Sequence, residues 1–118
     1  MIKVFHFLYT YENISQEAEQ RNLAIVGRGD PATVRKVYEN PTLGARYVHV
    51  ANTASNDFDR AFERTNHIDT DWTKNCGVES LQPRQRSTSV GDVMVLAGPD
   101  GDVTVVVSQC GFTNIHSA

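Results

Sequence analysis

The chain has 118 residues, 40% of them hydrophobic and 21% charged, an ordinary globular composition. A chain of this length buries about two thirds of its unfolded surface, enough for one core, so a single domain over residues 1–118 is expected. With 14 acidic and 11 basic residues the formal charge is −3, which excludes a general polyanion binder and a strongly acidic nucleic-acid mimic but leaves room for a local basic patch.

Cys76 and Cys110 are the only cysteines and form no C-x-x-C pair, so neither a zinc knuckle nor a disulfide framework is indicated. Two reduced thiols fit a cytoplasmic protein. The first residues, MIKVFHFLYTYEN, lack the apolar length and cleavage site of a signal peptide, and no run approaches the about 20 apolar residues of a membrane span. A soluble cytoplasmic protein without membrane contact is the expectation.

Residues 2–11 read as a strand apolar on both faces, with Val4, His6 and Leu8 on one side and Phe5, Phe7 and Tyr9 on the other. Ser15 can cap a helix with Glu17 and Glu19 in its first turn, ending at Gly27 and Gly29. Asp30-Pro31 starts a second helix, Asp as cap and Pro at the first helical position, with Val34, Val37 and Tyr38 as its apolar side and Asn40-Pro41 as its end. Residues 47–51 form a second strand. Ser55 or Asn56 then caps a third helix whose Phe58, Ala61, Phe62 and Thr65 share one face at i, i+3, i+4, i+7.

Residues 66–85 are a polar connection with one short helical turn. Residues 90–97 and 103–110 are strands, and Gly-Pro-Asp-Gly-Asp between them makes the pair an antiparallel hairpin. The order β-α-α-β-α-β-β predicts an α+β fold: a mostly antiparallel sheet of about four strands with about three helices on at least one face.

Two segments are dense in polar chemistry. In the first, Arg84, Arg86, Ser87, Thr88 and Ser89 lead into Gly91-Asp92. As structure, the hydroxyls shape a turn, Gly91 supplies a backbone angle other residues avoid, and Asp92 accepts turn amides or pairs with Arg86. As function, Arg84 and Arg86 with the hydroxyls, and Lys74 if it lies near, are a candidate anion site. In the second segment, His67, Asp69 and Asp71 are metal-ligand types without a metal-site spacing. The simpler reading makes Asp69 the cap of a short turn with Trp72 packed on the core. No metal and no cofactor are implied. His6 and His49 lie in strands and read as hydrogen-bonded residues of the fold. No Ser-His-Asp order, phosphate loop or H-E-x-x-H run is present to assign catalytic residues.

The segments AFERTNHIDTDW, RSTSVGDVMVL and GFTNI together resemble small uncharacterised proteins of bacteriophages and plasmids, among them a YodL-like group with an Arg-Ser-x-Ser-Val-x-Asp-Val motif. The motif falls on Arg86, Ser87, Ser89, Val90, Asp92 and Val93. The resemblance spans about residues 58–115 and implies a mobile genetic element as context. It points to an accessory binding protein, with host takeover or counter-defence as its role and a host protein or small signalling molecule as its partner. The alternatives are a nucleic-acid or nucleotide binder using residues 84–89 and, behind it, a hydrolase built on His67, Asp69 and Asp71.

Overall fold

Six strands form one sheet in which every pair is antiparallel. They are β1 (Ile2–Phe7), β2 (Tyr47–Thr53), β3 (Val78–Ser80), β4 (Val93–Gly98), β5 (Gly101–Ser108) and β6 (Gly111–Asn114), in the spatial order β3-β2-β1-β4-β5-β6. The computed structural model describes residues 1–7, 29–39, 47–66, 71–82, 86–99, 101–108 and 111–115. Among these, α1 (Pro31–Glu39) and α2 (Phe58–Thr65) are the helices, and Trp72–Lys74 is one 3₁₀ turn. No helix among the described residues is long and apolar enough to cross a membrane.

Strand alternation fills both faces of the sheet. Phe7, Tyr47, Val93, Val95, Val106 and Ile115 pack with Val34 and Val37 of α1. Ile2, Val4, Val50, Ala51, Met94, Val105 and Val107 pack on the opposite side with Ala61 of α2 and Trp72. The helices therefore cover both faces. A β-bulge explains why the consecutive residues Val50 and Ala51 share one cluster: Val4 pairs with Ala51 but Phe5 with His49, so Val50 is the extra residue.

α1 begins as its sequence dictates. Asp30 accepts hydrogen bonds from the Thr33 amide at 3.1 Å and the Thr33 hydroxyl at 2.6 Å, and Pro31 takes the first helical position. α2 departs from expectation at its start. Its cap is Asp57, which accepts from the Asp59 amide at 2.9 Å, while Ser55 stands two residues back and accepts from the Asp57 amide. Asp57, directly before Phe58 at the start of the apolar stripe, takes the cap in place of both Ser55 and Asn56.

The antiparallel sheet matches expectation, but among the described residues its strand count is six where about four were expected. β3 was hidden because Glu79 and Ser80 are exposed, so this short edge strand has no apolar alternation. β6 lies beyond the expected strand 103–110: the observed β5 ends at Ser108, and the four residues Gly111–Asn114, with no buried side chain among them to announce a strand, pair back along it. The expected start at Val90 also moves: residues 90–92 belong to a turn, and pairing with β5 begins at Val93. The hairpin reading holds, since Gly98 pairs with Gly101 across Pro99-Asp100. The helix expected after Ser15, and residues 8–11 of the first strand, lie outside the described residues.

Burial sets the cost of truncation on the α2 side. Met94 is fully buried, so Met94→Ala lowers stability by about 2–5 kcal/mol. Phe62 is only half-buried, packed against Phe112 with ring centroids 6.0 Å apart. Phe62→Ala accordingly costs about 2 kcal/mol, roughly half the figure for a fully buried phenylalanine. Urea unfolding of both variants checks these figures; a Phe62→Ala loss above about 3 kcal/mol would place the ring fully inside.

Candidate functional site

The Arg86–Asp92 segment folds over the end of the sheet where β1 and β4 separate. The Asp92 amide donates to the Ser89 carbonyl at 3.0 Å, closing a four-residue turn. Gly91 is third in it with φ +96°, the positive angle that type II turns demand at that place and that glycine adopts without strain. The Gly91 carbonyl accepts the Tyr47 hydroxyl at 2.8 Å, and its amide donates to Val107 at 2.8 Å.

This turn aims the fully buried Asp92 at Arg86 and at the last residue of β1. Oδ1 accepts from the Phe7 amide at 2.9 Å and Arg86 Nη2 at 2.7 Å; Oδ2 accepts from the Ser89 amide at 2.8 Å and Arg86 Nη1 at 2.6 Å. Arg86 Nη2 also donates to the Phe7 carbonyl at 2.9 Å. The last β1–β4 pair is Phe5 with Val93, so these two side chains take over the backbone polar groups of Phe7 beyond it. Both structural roles expected of Asp92, turn acceptor and partner of Arg86, are realised together.

A second network lies beneath. Thr65 Oγ1 donates to the Ala61 carbonyl at 2.8 Å, and Thr88 Oγ1 donates to Thr65 Oγ1 at 2.8 Å. With its proton so committed, Thr88 Oγ1 accepts from His6 Nε2 at 2.8 Å, which assigns the Nε2–H form of the ring. His6, Thr65 and Thr88 are all buried. The Thr88 amide donates to the Thr65 carbonyl, and Trp72 Nε1 donates to the Arg86 carbonyl, each at 2.8 Å. The loop is thus bonded to β1, β2, β5, α2 and the 3₁₀ turn.

For the expected anion site this geometry is specific. The anion gripped by Arg86 is the carboxylate of Asp92. Thr88 is buried and engaged, and the Ser87 carbonyl and Ser89 hydroxyl both lie 3.1 Å from Arg86 Nη1. Arg84 lies outside the described residues. Lys74 ends the 3₁₀ turn with an exposed side chain. His49 stacks on Phe5 at 4.8 Å and meets Asn52 Oδ1 at 2.7 Å, within the fold as expected.

Of the metal-type trio, His67 and Asp69 lie outside the described residues. Asp71, rather than the expected Asp69, is the residue seen to cap the turn, accepting from the Thr73 hydroxyl at 2.5 Å and amide at 3.1 Å. Trp72 packs into the core as expected. The Thr73 bonds hold the Asp71 carboxyl below the ordinary aspartate range, hydroxyl first and amide second, with a smaller contribution from Lys74.

An open hollow of about 430 Å³ lies beside α2, lined by Arg60, Glu63, Arg64, Asn75 and Cys76. A smaller one of about 230 Å³, lined in part by the same Arg60, Arg64 and Cys76, adds Ala54, Ser55 and Gly77. Arg64 Nη1 donates to the Cys76 carbonyl at 2.6 Å, and Asn75 Nδ2 donates to the Arg64 carbonyl at 2.7 Å, so helix and loop are tied across the floor. Arg60 is exposed and forms no ion pair among the described residues. Sequence reasoning passed over this group. The i, i+4 spacing of Arg60 and Arg64 was visible, but nothing local to it announces that Asn75 and Cys76 stand opposite.

Among the described residues, fold and site together define an α+β protein with helices on both faces of a six-stranded antiparallel sheet, an internally paired loop and two adjoining hollows that share Arg60 and Arg64. Comparison of the chain with protein-family models, with curated proteins and with solved structures finds no match.

Two outcomes follow. Removing Arg86 leaves the fully buried Asp92 carboxylate without its counter-charge, so Arg86→Ala costs about 3–5 kcal/mol. Asp92→Ala instead leaves a part-exposed guanidinium and takes an acceptor from the Phe7 and Ser89 amides, at about 1–3 kcal/mol. The double variant costs less than their sum, with a coupling of about 0.5–3 kcal/mol in urea titrations; additive losses would mean the pair does not act as a unit. For Asp71, a folded-state value below the unfolded one means that its contribution is present above the ordinary aspartate range and lost as pH falls through the lowered value. Carboxyl NMR titration should show Asp71 titrating below an ordinary aspartate, and Thr73→Ala should move it upward.

Proposed function

We propose that the protein is a non-enzymatic binding protein, an accessory of a phage or related mobile genetic element, that engages a host protein or small signalling molecule through the hollow beside α2. The mobile-element context rests on the resemblance carried by Arg86, Ser87, Ser89, Val90, Asp92 and Val93. The binding reading rests on one observation: Arg60 stands exposed at an open hollow without an ion-pair partner among the described residues, beside an Arg64 fixed by Cys76.

An exposed guanidinium in a concave site is available for recognition, whereas one already bonded to a carboxylate is not. We therefore place on Arg60 and Arg64 the anion-binding role that the sequence suggested for residues 84–89, because Arg86 is bonded to Asp92. Host-takeover or counter-defence action is the biological sense of this reading.

The test is retention from bacterial lysate on immobilised protein, followed by mass spectrometry of retained proteins and of small molecules released on denaturation. Wild type is expected to retain one partner in stoichiometric amount. Arg60→Glu should reduce retention about tenfold or more, with an unchanged thermal midpoint because Arg60 is exposed. Equal retention by the two proteins would remove the hollow from the binding surface.

A further inference from the structure

We propose that the hollow beside α2 is a site for a small phosphate ester of the nucleotide or sugar-phosphate class, with the phosphate between Arg60 and Arg64 and a ligand hydroxyl or N–H on Glu63. This rests on the binding reading above and names its ligand chemistry.

The first reason is charge. The lining carries two guanidinium groups and one carboxylate, Glu63. The C-terminal end of α2 adds only about half a negative charge, so the hollow stays positive. The whole chain is at −3, so the positive charge is local. A long nucleic acid requires many phosphate contacts spread over a basic face, and a single compact anion does not.

The second reason is geometry. At i, i+4 on one helix the two arginines are neighbours, and their mutual repulsion is relieved when a dianion lies between them. The planar guanidinium matches phosphate oxygens two at a time. Arg64 is already oriented by its 2.6 Å bond to the Cys76 carbonyl, so less side-chain freedom is lost on binding. Arg60 completes the clamp from the exposed side.

The third reason is size and polarity. A hollow of about 430 Å³ falls within the small-molecule range of about 300–1,000 Å³. Its lining is polar, which suits a ligand rich in oxygen. Glu63 is exposed and can accept from a hydroxyl or N–H group.

The experiment is thermal shift and calorimetric titration of the full chain with inorganic phosphate, ribose 5-phosphate, adenosine monophosphate and adenosine. The phosphate-bearing probes should raise the melting temperature and adenosine should not. Arg60→Gln should weaken binding about tenfold or more, while Arg60→Lys retains part of it. Glu63→Gln removes the one carboxylate of the lining, so it should tighten inorganic phosphate. A larger shift with adenosine monophosphate than with ribose 5-phosphate assigns a nucleotide, and equal shifts assign a sugar phosphate. No shift with any phosphate probe, or equal binding by wild type and Arg60→Gln, overturns the proposal. If Arg60→Glu still abolishes partner retention in that case, the ligand class fails and the binding-protein reading stands.

Discussion

The rest of the structure depends on one ion pair, Arg86 with Asp92, closed around the backbone of Phe7. Both oxygens of a fully buried carboxylate are doubly bonded, and the guanidinium that meets them also takes the Phe7 carbonyl. A buried charge is costly to desolvate and persists only when paired and hydrogen-bonded throughout. Here full satisfaction also does architectural work, because the donors come from β1 and from the loop itself. The pair holds the central strands together beyond the point where their own ladder stops.

That clamp sets the position of α2 and, through it, of the hollow. The loop it holds presents the Thr88 amide and hydroxyl to Thr65, the last residue of α2, and the Arg86 carbonyl to Trp72. The 3₁₀ turn carrying Trp72 runs directly into Asn75 and Cys76, which bond to Arg64. One continuous set of bonds therefore runs from Asp92 to the floor of the arginine-lined hollow. The buried network and the exposed site are parts of one frame with different tasks.

The Arg-Ser-x-Ser-Val-x-Asp-Val residues are largely those of the clamp. Arg86, Ser89 and Asp92 bond one another, and Val90 and Val93 flank the turn. A motif built this way transmits a way of closing a sheet more directly than an activity, since activity resides in sites placed upon a fold.

The sequence by itself determined the elements whose causes are local. Asp30-Pro31 capped and opened α1, period-two alternation built β1, the i, i+3, i+4, i+7 stripe placed α2 against the sheet, and Pro99 and Gly101 turned the hairpin. It also marked Arg86 and Asp92 as a pair, because they are six residues apart. Only the tertiary structure decided that Asp92 would bond Phe7 across 85 residues and Thr88 would bond His6 across 82. It likewise recruited the polar β3 as an edge strand and brought Cys76 to Arg64 across 12 residues. The physical reason is the range of the forces that each pattern records. Caps, turns and amphipathic stripes are written in neighbours a few residues apart, whereas the partners of a buried polar group and the walls of a hollow come from wherever the sheet order brings the chain back.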